Sequence, residues 1–194
     1  TYDVAPNRAP NDVHSLNNKG SALKNLANLQ SVLSEHKQAQ KAYEESSETY
    51  DAALNRAPND VYSLNNKGSA LQGLANLQSV LSHDELAQQT YEASIAAYDA
   101  VLTYAPDDIF ALNNKGRSLE NLANLQSAYA QYEQAEQTYE ASMAVYDTAL
   151  NLTPDDVDIL SNKGMTAIAL RQLQIHQSKE SEAVESLRIA MRSF

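Results

Sequence analysis

The residues of this chain that could do chemistry are four histidines, two Asp-Asp pairs and a lysine that recurs behind asparagine. His14, His36, His83 and His176 could ligate a metal or carry protons near neutral pH. None belongs to an HExxH run and all four lie far apart in the chain, so each reads as a surface or groove residue. Asp107-Asp108 and Asp155-Asp156 could work as acid and base. Both pairs follow a proline, Pro106 and Pro154, where a helix would open. Capping explains them better, because negative charge at that end complements the helix dipole. Glycine is too scarce, five in 194 residues, to build a phosphate loop. The expectation is no catalytic residue, no metal site and no cofactor, hence no enzyme.

The asparagine-lysine motif leads elsewhere. LNNKG occupies residues 16–20, 64–68 and 112–116, and LSNKG occupies 160–164, each 48 residues after the last. APND at 9–12 and 57–60 becomes APDD at 105–108 and TPDD at 153–156, and LANLQS recurs at 26–31, 74–79 and 122–127. A fixed period of this length marks a repeat architecture. The chain divides into residues 1–10, a half-helix or docking segment, then repeats at 11–58, 59–106, 107–154 and 155–194.

Each repeat reads as two helices. In 59–106, Pro58 ends the preceding helix and Asn59 or Asp60 caps the next. Val61, Leu64, Gly68, Leu71, Leu74, Ala75 and Leu81 follow at helical spacing. Ser82-His83-Asp84 is a polar turn in which Ser82 or Asp84 can cap again. Ala87, Tyr91, Ser94, Tyr98 and Val101 then step by four and three along one face. No segment alternates with the period of a strand, so the fold class is all-α. Gly20, Gly68, Gly116 and Gly164 fall inside helices, where glycine costs roughly 1 kcal/mol relative to alanine. Close approach of a neighbouring helix would offset that cost. The fourth repeat departs: LANLQS becomes LRQLQI at 170–175, and its second helix, expected over about 179–194, stops early.

Leu64, Lys67, Gly68 and Leu71, then Ser94 and Tyr98, then Pro106 fall on the three blocks of the tetratricopeptide pattern. The chain resembles the tetratricopeptide repeat family over nearly its whole length. The family period is about 34 residues, and fourteen more lie here around the turn. Split evenly, they lengthen each helix by about two turns to about 20–22 residues, roughly 30–33 Å. The resemblance implies an α-solenoid of antiparallel helix pairs with lengthened helices.

The resemblance also implies where partners would lie. First helices line the concave face, and the residue two before the glycine bonds an extended peptide: here Asn18, Asn66, Asn114 and Asn162. Asn17, Asn65, Asn113, Ser161, Ser21, Ser69, Arg117 and Met165 would surround them, with His14, Tyr62, Phe110 and Asp158 one turn earlier. An amide offers both donor and acceptor, which suits a peptide backbone, but it equally suits stitching repeat to repeat. Lys19, Lys67, Lys115 and Lys163 occupy positions that pack inward and would snorkel along the helix pair. Only Arg117 and Lys24 suit a groove cation, which speaks against a carboxylate clamp.

The first ten residues, TYDVAPNRAP, match TYDAALNRAP at 49–58. By the period, Ser193-Phe194 correspond to Thr1-Tyr2. One subunit's N-terminal segment could therefore complete the last repeat of the next, head to tail, as a filament or a ring. Thr1, Tyr2, Val4 and Pro6 would meet Leu187, Ala190, Met191 and Phe194. Pro6 opposes a helical docking because it removes a backbone donor. Two rivals stand beside this reading: a monomeric adaptor for an extended peptide, and a regulatory segment of a larger signalling enzyme.

Composition bounds the rest. A net charge of −11 and a pI of about 4.7 argue against phosphate-binding surfaces, so no nucleic acid is expected. No apolar run nears the ~20 residues that span a bilayer, so no membrane insertion is expected. There is no cysteine, and HDEL at 83–86 is internal. The partners expected are other protein chains, copies of this one foremost. The compartment stays open between cytoplasm and secretion after processing.

Overall fold

The structure is a computed structural model that describes the backbone of residues 12–192 and the side chains of residues 12–178. Seven α-helices follow one another: α1 (Val13–Val32), α2 (His36–Leu54), α3 (Val61–Val80), α4 (Asp84–Tyr104), α5 (Ile109–Ala128), α6 (Tyr132–Leu152) and α7 (Val157–Arg192). The first six are 19 to 21 residues long, as the lengthened repeat requires. Each helix packs on the next in the chain, so the fold is an all-α helical repeat. The first helices of the repeats also touch one another, α1 to α3, α3 to α5 and α5 to α7. The second helices do not, so the array bends toward its first helices.

Aspartate opens the first helix of every repeat. The carboxylates of Asp12, Asp60, Asp108 and Asp156 accept from the backbone N–H three residues on, at 2.6 to 3.1 Å. The second helices α2, α4 and α6 carry no side-chain cap. The expected caps Ser82 and Asp84 do not form one, because the turn is closed by the backbone alone. Ser34, Ser82 and Ala130 adopt φ of 57° to 60°. The next N–H then reaches five residues back: Glu35 to Gln30, His83 to Gln78 and Gln131 to Gln126, at 2.8 to 2.9 Å.

Within a repeat the helices are locked by tyrosine on glycine. Tyr50, Tyr98 and Tyr146 are fully buried, and each ring lies on the glycine thirty residues before it. A methyl at Gly20 would stand 2.7 Å from Tyr50, at Gly68 2.8 Å from Tyr98, and at Gly116 2.5 Å from Tyr146. Beside each ring, the hydroxyl of Ser46, Ser94 or Ser142 donates to the carbonyl of that glycine at 2.8 Å. Nearer the turn, Tyr43, Tyr91 and Tyr139 donate to Asn28, Asn76 and Asn124 at 2.5 to 2.7 Å. The core divides into clusters at the repeat junctions, for example Leu112, Tyr146, Ala149 and Ile159.

The fourth repeat is corrected by the structure. No second helix begins near residue 179; α7 runs unbroken to Arg192. The period places Ser178 where Ser34 and Ser82 turn, yet it stays helical and its hydroxyl bonds the carbonyl of Ile175 at 2.9 Å. A left-handed turn at a residue other than glycine costs roughly 1–2 kcal/mol. In the complete repeats the Tyr–Asn bond nearer the turn ties the second helix to the first. Leu81 at the second turn packs on Ala39, Tyr43 and Leu77. The corresponding residue of the fourth repeat is Gln177, and the Tyr–Asn pair is replaced by Leu187 and Gln172. That bond cannot form here, and the helix continues.

Two stability measurements test this account. Gly116→Ala is expected to destabilise by about 1–2 kcal/mol in denaturant unfolding, overpacking outweighing helix propensity. Gly164→Ala, which meets nothing within 4 Å, is expected to stabilise by up to about 1 kcal/mol. Burial pushes the phenols of Tyr91 and Tyr139 up to about 12. Tyr50 also rises to about 12, burial outweighing its bond from Ser21. A raised phenol contributes stability that is complete below pH ~10 and lost as pH climbs toward the folded value. Tyrosinate absorbance should therefore lag behind free tyrosine and rise together with alkaline unfolding above pH ~10.

Candidate functional site

The candidate groove residues sort into two groups. Asn17 is buried and donates to Asp60 at 2.9 Å, while its Oδ1 accepts from Ser63 at 2.6 Å. Asn65 repeats the bond to Asp108 at 3.0 Å, and Asn162 donates to Asn113 at 3.0 Å. These amides tie one repeat to the helix cap of the next, or first helix to first helix. In the structure these amides are engaged in the stitching bonds that the sequence left as the alternative. Burial pushes the Asp60 carboxyl up, but bonds from Ser63 and Asn17 outweigh it and hold the group below the usual carboxylate range.

The second group faces the inner side of the array. Asn18 and Arg117 are exposed, and Tyr62 and Phe110 are 52% and 53% exposed. Asn66 and Asn114 turn back to the carbonyls of Tyr62 and Phe110 at 3.0 and 2.9 Å, and Asn114 is buried. Lys24 is engaged by Asn66 at 3.1 Å and Ser69 at 3.4 Å, and burial lowers its ammonium. Burial raises the Glu120 carboxyl, against a bond from Thr166 and the charge of Arg117. The inner stripe thus keeps aromatic and amide surface but little unengaged positive charge.

The lysines do not simply snorkel. Lys67 reaches Asp51 at 2.5 Å, Lys115 reaches Asp99 at 2.6 Å, and Lys163 pairs with Asp147. Each partner lies sixteen residues earlier, on the second helix of the preceding repeat. Lys19 differs: it pairs with Glu45 of its own repeat at 3.2 Å and its side chain is 57% exposed, against 20–30% for the other three.

The third feature is the last repeat's open face. Leu64 and Leu112 are 7% and 4% exposed beneath Tyr98 and Tyr146. Leu160, their counterpart, is 47% exposed. Gly20, Gly68 and Gly116 are buried under rings, whereas Gly164 is exposed. Among the described residues no second helix follows α7 to pack over this face. The sequence carried a signal for it: Gly20, Gly68 and Gly116 each have a tyrosine at +30, and Gly164 has Phe194. The proposed contacts Thr1, Tyr2, Val4 and Pro6 lie outside the described residues, as do the side chains of Leu187, Ala190, Met191 and Phe194. Among the described residues no group of three or more acidic or histidine side chains could hold a metal ion. No helix there is long and apolar enough to cross a membrane.

The stitch is testable by a double-mutant cycle. Asn65→Ala is expected to cost about 1–2 kcal/mol, since its partner is a carboxylate. Coupling with Asp108→Ala should exceed about 0.5 kcal/mol. Additive effects would mean that the bond contributes nothing. Comparison with protein-family models and with curated proteins found no match, so the use of these surfaces rests on their geometry.

Proposed function

We propose that this chain is a non-enzymatic helical-repeat protein that acts through protein contacts and associates head to tail with copies of itself. The observation that carries the reading is the uncovered face of α7. Leu160 and Gly164 are built as the buried floor of a helix pair, and Leu160 stands 47% exposed where its counterparts are nearly sealed. A repeat array with an open apolar end favours another copy in the same register, because each junction inside the array already has that geometry. Such a contact is heterologous, so it propagates to a filament or closes to a ring.

A second reading rests on the inner stripe. Tyr62 and Phe110, 48 residues apart and half-exposed, lie with Asn18 and Arg117 on the side of the first helices. An extended peptide could stack along them, its backbone met by the amides as the tetratricopeptide resemblance implies.

Negative-stain imaging with light scattering across a concentration series separates the two. The expected result is filaments or rings that vanish with Leu160→Glu, a change at an exposed residue that leaves helix content intact. A monomer of 21.3 kDa at every concentration would refute self-association and leave the stripe as the working surface.

A further inference from the structure

We infer that the groove between α1 and α3 binds a small organic acid, its carboxylate held by Gln72 and Arg117 and its apolar stem lying against Leu77 and Val80. The inference is independent of the head-to-tail reading.

The groove exists because of one residue. Gly73 stands where the neighbouring repeats carry Asn25 and Asn121. At the second junction Asn121 reaches from α5 to α3 and donates to Asn76 at 3.1 Å. At the first junction Gly73 has no side chain to make that crossing, and the ring of Tyr43 comes within 2.5 Å of where its Cβ would stand. The space beside it has a volume of about 530 Å³, within the range of small-molecule sites. The Asn121–Asn76 bond bridges the next junction at the corresponding place, which favours a short ligand over an extended chain.

The polar lining is rich in donors. Asn28 Oδ1 accepts from Tyr43 at 2.6 Å, and Asn76 Oδ1 accepts from Tyr91 at 2.7 Å as well as from Asn121. Both amides therefore have their Nδ2 groups left to offer. Ser69 Oγ takes a bond from Lys24 at 3.4 Å, which leaves its O–H to donate. Gln72 is 6% exposed and lines the groove, and its buried Nε2 has no hydrogen-bond partner among the described residues. A buried donor left unpaired is costly, and an acceptor on a ligand would satisfy it. Arg117, exposed on the same groove, adds the charge and the planar fork that fit a carboxylate. Leu77 and the exposed Val32 and Val80 supply apolar wall for the stem.

The period provides a comparison within the molecule. At the second junction the places of His36, Gln72 and Arg117 hold Asp84, Glu120 and Met165. Two carboxylates without the arginine would repel an acid, so the donor set belongs to the first junction.

Calorimetric titration of the full chain with phenylacetate tests the site. Saturable binding with a Kd below about 5 mM is expected, and phenylacetamide, its neutral analogue, should bind at least about tenfold more weakly. Gln72→Glu and Arg117→Met copy the second junction, and each should weaken phenylacetate at least about tenfold with helix content unchanged. Gln72→Leu should weaken it as much, yet unfold at the same or a higher denaturant concentration, because it removes an unpaired buried donor. A glutamine with only a structural role would lose stability instead. Equal affinity for acid and amide, undiminished binding in Gln72→Leu and Arg117→Met, or no saturable binding at all would overturn the site. Inorganic phosphate bound as tightly as phenylacetate would reduce it to a charge effect and overturn it too. Ac-Gly-Gly-Phe bound more than about tenfold tighter would assign the carboxylate to a peptide chain end and overturn the small-acid reading.

Discussion

The fold depends on one contact, a tyrosine ring laid directly on a glycine of the partner helix. At 2.5 to 2.8 Å from the place of a missing Cβ, the ring uses space that any other residue would fill. The contact brings the helices close enough for the adjacent serine hydroxyl to bond the glycine carbonyl. That third element matters, because the carbonyl already serves the helix ladder and here takes a second, buried donor. Removing the glycine would shift the ring, the serine bond and the crossing of the two helices together.

The junctions between repeats are polar where the pairs are aromatic. An aspartate that caps one helix also receives an amide from the preceding repeat, so the same carboxylate ends a helix and sets its position. Lysine–aspartate pairs on the other side tie second helix to following first helix. Exposed ion pairs contribute little to stability, but their fixed sixteen-residue register selects one way of stacking. An array built this way has neighbours specified on both sides of each repeat. Among the described residues Lys19 pairs within its own repeat, with Glu45, and Leu160 and Gly164 are exposed where their counterparts are buried.

α7 shows that a repeat in sequence need not be a repeat in structure. Leucine, lysine and glycine of LSNKG keep their register, and Ile159 is buried against α6. The fold back fails further on, where each complete repeat sets a tyrosine–asparagine bond behind its left-handed turn. Gln172 and Leu187 stand in those two places, so the bond is lost.

The sequence alone determined the period, the helix pairs, their length and the mid-helix glycines. These follow from local spacing and from the cost of glycine in a helix, which demands a neighbour whatever that neighbour is. The tyrosine at +30 was equally legible as a spacing, though its meaning was not. Tertiary structure decided three matters. It assigned Asn17 and Asn65 to stitching while Asn18 stayed exposed, because adjacent residues on a helix point about 100° apart and only the crossing of the next helix chooses between them. It closed the turns through backbone bonds instead of the expected side-chain caps. It left α7 unfolded upon itself, since a turn that costs free energy locally forms only where distant residues offset it, and no local pattern records whether they do.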